Sequence, residues 1–222
     1  MKKNNNLELM KFLGFVLTIV LFSCQTQGRK TENLDGTLSD MEAQKLDTAT
    51  FAGGCFWCVE ASFEQIKGVV EAVSGYAGGN ANTANYQMVS SGRTKHAEAV
   101  QVYYDPSVID YETLLDIFFT AHDPTQLNRQ GPDVGTQYRS EVFFHNEEQE
   151  SLAKSKIEEI GPKFRTRVVT EVSELEEFYV AEEYHQDYEK KHPNNSYIRN
   201  VSKPKIDKVA KKFRDRLKEL DN

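Results

Sequence analysis

The sequence predicts a single α/β (α+β) domain behind a short leader. Strand-like and helix-like patterns alternate from residue 48 to residue 172, and no segment repeats another. A chain of 222 residues with 39% hydrophobic, 27% charged and 11% aromatic side chains suits one sizeable core. Residues 48–52 form a short apolar strand and Gly53-Gly54 a turn, after which Phe56, Val59, Phe63 and Ile66 recur at helical spacing up to Gly68. Residues 69–76 are a second strand, with Gly75, Gly78 and Gly79 opening a long loop, and residues 97–104 alternate as a third strand does. Asp110 is a good N-cap for a helix over 111–122, whose buried face is Leu114, Leu115, Phe118 and Phe119 and which Pro124 stops. Residues 138–144 are another strand, Asn146 caps a helix running to about Ile160 before Gly161-Pro162, and 168–172 make a further strand. The lysine-bearing tail over 204–220 reads as a solvated helix.

A formal net charge of -7 gives no positive field to gather phosphates, and no Lys/Arg stretch is interleaved with stacking aromatics, so nucleic acid is not an expected partner. Three cysteines are too few for a disulfide framework, and each is read in its own surroundings. Lys2, Lys3 and Lys11 make a basic start, and the apolar run 12–22 then ends at Ser23-Cys24. That run is shorter than the roughly 20 residues a membrane span needs. Leu21-Phe22-Ser23-Cys24 resembles a bacterial lipobox, in which the Cys is diacylated and becomes the first residue after cleavage. Phe22 departs from the small or branched residue usual there, and the alternative is an ordinary cleaved signal with Cys24 incidental. The polar stretch from Gln25 to about Asp47 lacks apolar periodicity and reads as a tether. The expected organisation is a signal peptide over 1–23, a flexible tether over 24–47 and a catalytic domain over 48–222, exported and held by Cys24 at the periplasmic side of a bacterial envelope membrane.

The string FAGGCFWCVE, residues 51–60, carries the most specific chemistry. A Cys that follows a strand and a Gly-Gly turn opens a helix, where unpaired N–H groups and the positive end of the dipole favour a thiolate. A lowered thiol pKa is expected at Cys55, with Cys58 one turn away and within bridging range after modest movement. A bare CxxC also suits a zinc half-site, but zinc needs two more ligands and no His pair has ligand spacing. The rival enzyme class is a thioredoxin-like disulfide oxidoreductase, whose motif typically carries Gly-Pro or Pro-His where this chain has Phe56-Trp57. Two large aromatics suit a methyl-sized pocket better than a docked disulfide.

Gly54-Cys55-Phe56-Trp57-Cys58 resembles the signature of the methionine sulfoxide reductase A family, in the variant whose resolving Cys lies within the motif. Further matches follow in the family's order: Gly75-Tyr76-Ala77-Gly78-Gly79, Asn85-Tyr86, Ser91-Gly92, His96-Ala97-Glu98, the run from Gly131 to Arg139, and the run from Glu183 to Tyr188. They cover residues 48–197 or so, and chance agreement over six ordered motifs is negligible. Lys95 stands where the family usually has Gly and Ala84 where it usually has Pro.

The resemblance implies a two-layer sandwich with a ferredoxin-like split βαβ core, and a peptide-methionine (S)-S-oxide reductase acting on oxidised proteins and on free methionine sulfoxide. It implies Cys55 as nucleophile, Glu98 as acid, Tyr86 and Tyr138 as phenolic donors to the sulfoxide oxygen, Asp133 on the polar side of the site, and Phe56 and Trp57 around the methyl group. Glu98 works as an acid only if burial raises its pKa. Collapse of the adduct would leave a sulfenic acid on Cys55, and Cys58 would condense with it to a disulfide. An external dithiol such as thioredoxin must then reduce the bridge, with no metal, flavin or nucleotide required and a monomer expected. His185 belongs to a matched run, yet no step needs an imidazole, so its expected role is structural.

Overall fold

The computed structural model describes residues 45–219, so Cys24, the expected signal peptide and nearly all of the tether lie outside the described residues. The chain forms β1 (Asp47–Gly53), α1 (Phe56–Glu64), β2 (Val69–Ala77), α2 (Tyr86–Ser90), β3 (Ala97–Tyr104) and α3 (Tyr111–Ala121). There follow β4 (Arg129–Gln130), β5 (Asp133–Val134), β6 (Ser140–Phe144), α4 (Glu147–Ile160), β7 (Glu171–Glu174), β8 (Phe178–Val180), α5 (Tyr188–Lys191) and α6 (Lys203–Lys212).

Six strands make one sheet in the order β7-β6-β1-β3-β2-β8. Every neighbouring pair is antiparallel except β6 and β7. Because β3 lies between β1 and β2, the unit β1-α1-β2 is split, and β1-α1-β2-β3-α3-β6 is the ferredoxin-like core expected above, widened by β7 and β8 at the two edges. The helices α1 and α3 cover one face. Their apolar stripes meet the buried side of β1 at Phe51, whose ring stacks on Phe63 at 5.3 Å and on Phe118 at 5.0 Å. The other face carries a smaller cluster of Ala52, Ala77, Ala97, Ala99 and Phe143, roofed by Leu175 and Phe178.

Both expected N-caps form: the Asp110 carboxylate accepts from Thr113 N at 2.7 Å and the Asn146 amide oxygen from Gln149 N at 2.9 Å. Other expectations shift. Tyr138 ends a 3₁₀ turn over Thr136–Tyr138 instead of starting a strand, and the ladder begins at Ser140. The strand expected at 168–172 lies at Glu171–Glu174, because Val168 enters the core before the chain reaches the edge of β6. The tail is not a solvated helix over 204–220. A π turn over Ile198–Ser202 leads into α6, which ends at Lys212 and packs on α1 and α3. Val209 is fully buried and Phe213 packs on the same core, so the lysines surround a narrow apolar stripe instead of a polar rod.

Candidate active site

The site is assembled where β1 hands over to α1. Gly54 takes φ +95°, and a Cβ there would fall 2.6 Å from Gln130, so only glycine makes this turn beside the β4 strand. Cys55 is the N-cap residue of α1 and Cys58 lies one turn in, its N–H donating to Cys55 O at 3.1 Å. Both are free thiols, 6% and 2% exposed. From β3, Glu98 reaches under the helix start, and its Oε2 accepts from Phe56 N at 3.1 Å. Asp133 on β5 accepts from the Tyr197 hydroxyl at 2.5 Å. Tyr86 opens α2 and is seated by its backbone N–H, which donates to Glu182 Oε1 at 2.9 Å.

These residues enclose a cavity of about 260 Å³ lined by Cys55, Phe56, Trp57, Tyr86, Glu98, Asp133 and Tyr138, together with Asn195 and Tyr197. Every site residue expected from the sequence within the described region is on that wall except Cys58. Cys58 sits behind it, its Sγ donating to Ser202 Oγ at 2.9 Å. A larger hollow of about 540 Å³ beside Asp47, Tyr111 and Gln149 holds no cysteine.

Burial pushes Glu98 up to about 8, the negative charges of Asp133 and Cys58 adding to it and the Phe56 N–H working against it. Its carboxyl group is therefore mostly neutral at pH 7. Burial likewise raises Tyr86 and Tyr138, with Glu98 and Cys55 adding to the effect, so both phenols stay O–H donors. The expectation of a lowered pKa at Cys55 does not hold in the resting site. Burial, with Cys58 and Glu98 in support, holds that thiol well above its ordinary value. The N–H of Phe56, which could have faced the sulfur, is spent on Glu98. Cys58 instead is brought down to about 7, first by the hydrogen bond from Cys55 and, against the burial that opposes it, by Lys205 and Ser202.

The model of the family described as peptide methionine sulfoxide reductase matches residues 47–217. The chain belongs to that family. A peptide methionine sulfoxide reductase MsrA of Pasteurella multocida is 55% identical over 167 residues, covering 75% of this chain and 96% of its own length. One from Haloquadratum walsbyi is 51% identical over 171 residues, covering 77% and 98%. Among solved structures, reduced Mxr1 from Saccharomyces cerevisiae superposes with a TM-score of 0.65 at 41% identity, covering 68% of this chain and 88% of its own. Methionine sulfoxide reductase A of Corynebacterium diphtheriae gives 0.65 at 36% identity, covering 68% and 76%. The chain is thus a methionine sulfoxide reductase that works by thiol chemistry.

In this reductase the aromatic wall is held from behind. Trp57 stacks on Tyr188 at 3.7 Å and meets the edge of Tyr197 at 6.0 Å, while its Nε1 donates to His185 Nδ1 at 3.2 Å. Because Nδ1 accepts, the neutral imidazole carries its proton on Nε2, and burial keeps it neutral. His185 also packs against Phe56 at 5.0 Å and Tyr86 at 4.5 Å without lining the cavity. Its segment is tied to β2 by Gln186, whose amide accepts from Ser74 N and donates to Ser74 O, both at 2.9 Å, as another strand would. The sequence reading missed Tyr197, Asn195 and Ser202. Tyr197 closes the matched span, and its neighbours offered no spacing that pointed to the cavity.

Proposed function

We propose that the cavity takes the sulfinyl group of a methionine-S-sulfoxide, in an oxidised protein or free, and that Cys55 attacks its sulfur while Glu98 protonates its oxygen. The observation that carries this reading is a buried, neutral carboxylic acid beside a buried thiol across a space of about 260 Å³. A sulfoxide sulfur becomes electrophilic when its oxygen is protonated, and a positioned acid is worth roughly 10²–10⁴ in rate. Tyr86 and Tyr138 add O–H donors to the same oxygen, Tyr197 on Asp133 closes the polar end, and Phe56 and Trp57 cup the methyl group. In the adduct the methionine sulfur–oxygen bond breaks, the released hydroxide bonds to the Cys55 sulfur, and the Cys55–methionine sulfur bond breaks with its electron pair going to methionine, which leaves Cys55 as a sulfenic acid.

Cys58 then condenses with the sulfenic acid, releasing water, and a thioredoxin-type dithiol reduces the Cys55–Cys58 bridge. The support is their spacing of one helical turn and the lack of any later cysteine in the sequence. The leader, the lipobox-like 21–24 and the polar tether support an exported enzyme held at the membrane surface by a lipid on Cys24. Labelling cells with a fatty-acid analogue should mark the wild type and not Cys24→Ala; equal labelling of both removes the anchor. The chemistry is tested by turnover of separated methionine sulfoxide epimers with dithiothreitol. Reduction of the S epimer with the R epimer untouched supports the reading, and reduction of neither overturns it.

A further inference from the structure

Ser202 ends the π turn and Lys205 follows three residues later in α6, so the two side chains leave the same side of the chain towards α1. Ser202 is fully buried and its hydroxyl accepts from Cys58 Sγ at 2.9 Å. The ammonium nitrogen of Lys205 is also buried and has no hydrogen-bonding partner among the described residues. A cation in such a place is costly unless an anion answers it. Its charge acts on Cys58 and on His122. His122 is no counter-ion: burial keeps its imidazole neutral, Nδ1 donates to Phe118 O at 2.7 Å, and Nε2 takes the Ser140 hydroxyl at 2.7 Å. Of these two, the sulfur of Cys58 is the one that can answer the ammonium.

We propose that Ser202 and Lys205 are positioning residues for the resolving cysteine, Ser202 fixing its sulfur and Lys205 supplying the counter-charge of its thiolate. The inference rests on the reading above that Cys58 resolves. In the resolving step the Cys58 thiolate attacks the sulfur of the Cys55 sulfenic acid, the S–S bond forms, the S–O bond breaks, and the departing hydroxide takes the Glu98 proton and leaves as water. Glu98, having given one proton to the sulfoxide oxygen, regains a proton from solvent before this step and again after it. As Cys58 ionises, the Ser202 hydroxyl turns from acceptor to donor, which a hydroxyl does freely.

The surroundings of Cys58 fit this assignment. The ionisable groups acting on it or feeling its charge are Cys55 on its own helix, Glu98 on β3, Asp133 on β5, Tyr197 before the π turn, and Lys205. Lys205 is the cation of this set. The thiolate is favoured to about 7, foremost by the Cys55 thiol, but that donor is changed once Cys55 has taken oxygen. Lys205 and Ser202 are unchanged by the first half of the reaction, so the second half depends on them.

The experiment follows full-length enzyme mixed with methionine sulfoxide in the absence of reductant, quenched at intervals between pH 6 and pH 9. Released methionine reports the first step, and loss of the dimedone-trapped sulfenic acid reports resolution. In the wild type, resolution should rise with pH as Cys58 ionises, around a midpoint above the resting value of about 7 because the Cys55 donor has been changed. Lys205→Met should release its first methionine within about twofold of wild type, while the resolution midpoint moves up by about one pH unit, which leaves about tenfold less thiolate at pH 6. Lys205→Arg should recover most of the loss, and Ser202→Ala should shift the midpoint by less. Ser202→Ala also keeps the proposal testable if Lys205→Met does not accumulate as folded protein. A wild-type resolution profile in Lys205→Met overturns the proposal, as does equal impairment in Lys205→Arg, because packing and not charge would then be at work. Wild-type enzyme that releases no methionine overturns the reading of the cavity and this proposal together, whereas normal release with unchanged resolution overturns this proposal alone.

Discussion

Glu60 on α1 and Glu98 on β3 are each 2% exposed, and burial pushes each up to about 8. They differ in what their oxygens meet. Glu60 is saturated, Oε1 accepting from Asp187 N and Oε2 from the Ser74 hydroxyl, both at 3.0 Å. Glu98 accepts one bond from Phe56 N and otherwise faces the cavity it shares with Cys55. Glu60 therefore clamps the 183–188 segment, which carries His185 and leads to Tyr188, against α1 and β2. Glu98 keeps an oxygen for a ligand. A raised pKa marks burial in both places, and an open oxygen beside a nucleophile is what separates an acid from a clamp.

The comparison breaks first at the nucleophile. Cys55→Ser should abolish even one turnover, measured as methionine released per enzyme without reductant, whereas Cys58→Ser should release about one and then stall with a dimedone-reactive species. Recycling of Cys58→Ser on thioredoxin at the wild-type rate would show that the CxxC spacing is incidental. Next, Glu98→Gln should lower the first-step rate by roughly 10²–10⁴ while Cys55 remains alkylatable. A loss of only a few-fold would remove Glu98 from the mechanism.

The pH profile sharpens the same contrast. Attack needs a Cys55 thiolate and a neutral Glu98, one proton between them, and below about 8 both groups hold theirs. For the first step kcat/KM should therefore rise with pH through about 8 and fall only when the last proton of the pair is lost. Glu98→Gln should erase the limb near 8, and Glu60→Gln should leave it in place. A limb near 8 that survives in Glu98→Gln would assign it to another group.

The strand-turn-helix that presents Cys55, the caps at Asp110 and Asn146, and the strand β3 were legible because local periodicity and turn chemistry specify them. The five-residue α2 and three-residue β8 are too short to show a period, and β7 is written in Glu-Val-Ser-Glu next to a more apolar Val168-Val169. The cavity residues up to Tyr138 were found through motifs. Ser202, 144 residues from Cys58, joins it only through the packing of α6. The state of Cys55 was misread for a related reason: the helix start was legible, but the burial of the sulfur and the claim of Glu98 on the Phe56 N–H are tertiary.

The smallest effect expected on activity is that of Glu60→Gln. Its amide oxygen can accept from Asp187 N, and its amide N–H can donate to the Ser74 hydroxyl once that hydroxyl turns from donor to acceptor, so first-step activity should stay within about twofold, the loss at stake being about 0.5 kcal/mol or less. Its stability should change with pH instead. The pKa of Glu60 is about 8 when folded and about 4.3 in an unfolded chain, so the folded state binds the extra proton. That contribution is complete below the unfolded value and is lost as pH rises through about 8, so wild-type Tm should fall across this window. Glu98 is buried in the same way and contributes the same sign, so Glu60→Gln should flatten the fall without abolishing it, and the Tm advantage of the variant should grow from pH 5 to pH 8.5. A Tm difference that is constant across that range, or that shrinks with pH, would mean that Glu60 is ionised in the folded enzyme and pairs with a positive group, and the likeness between the two carboxylates would end there.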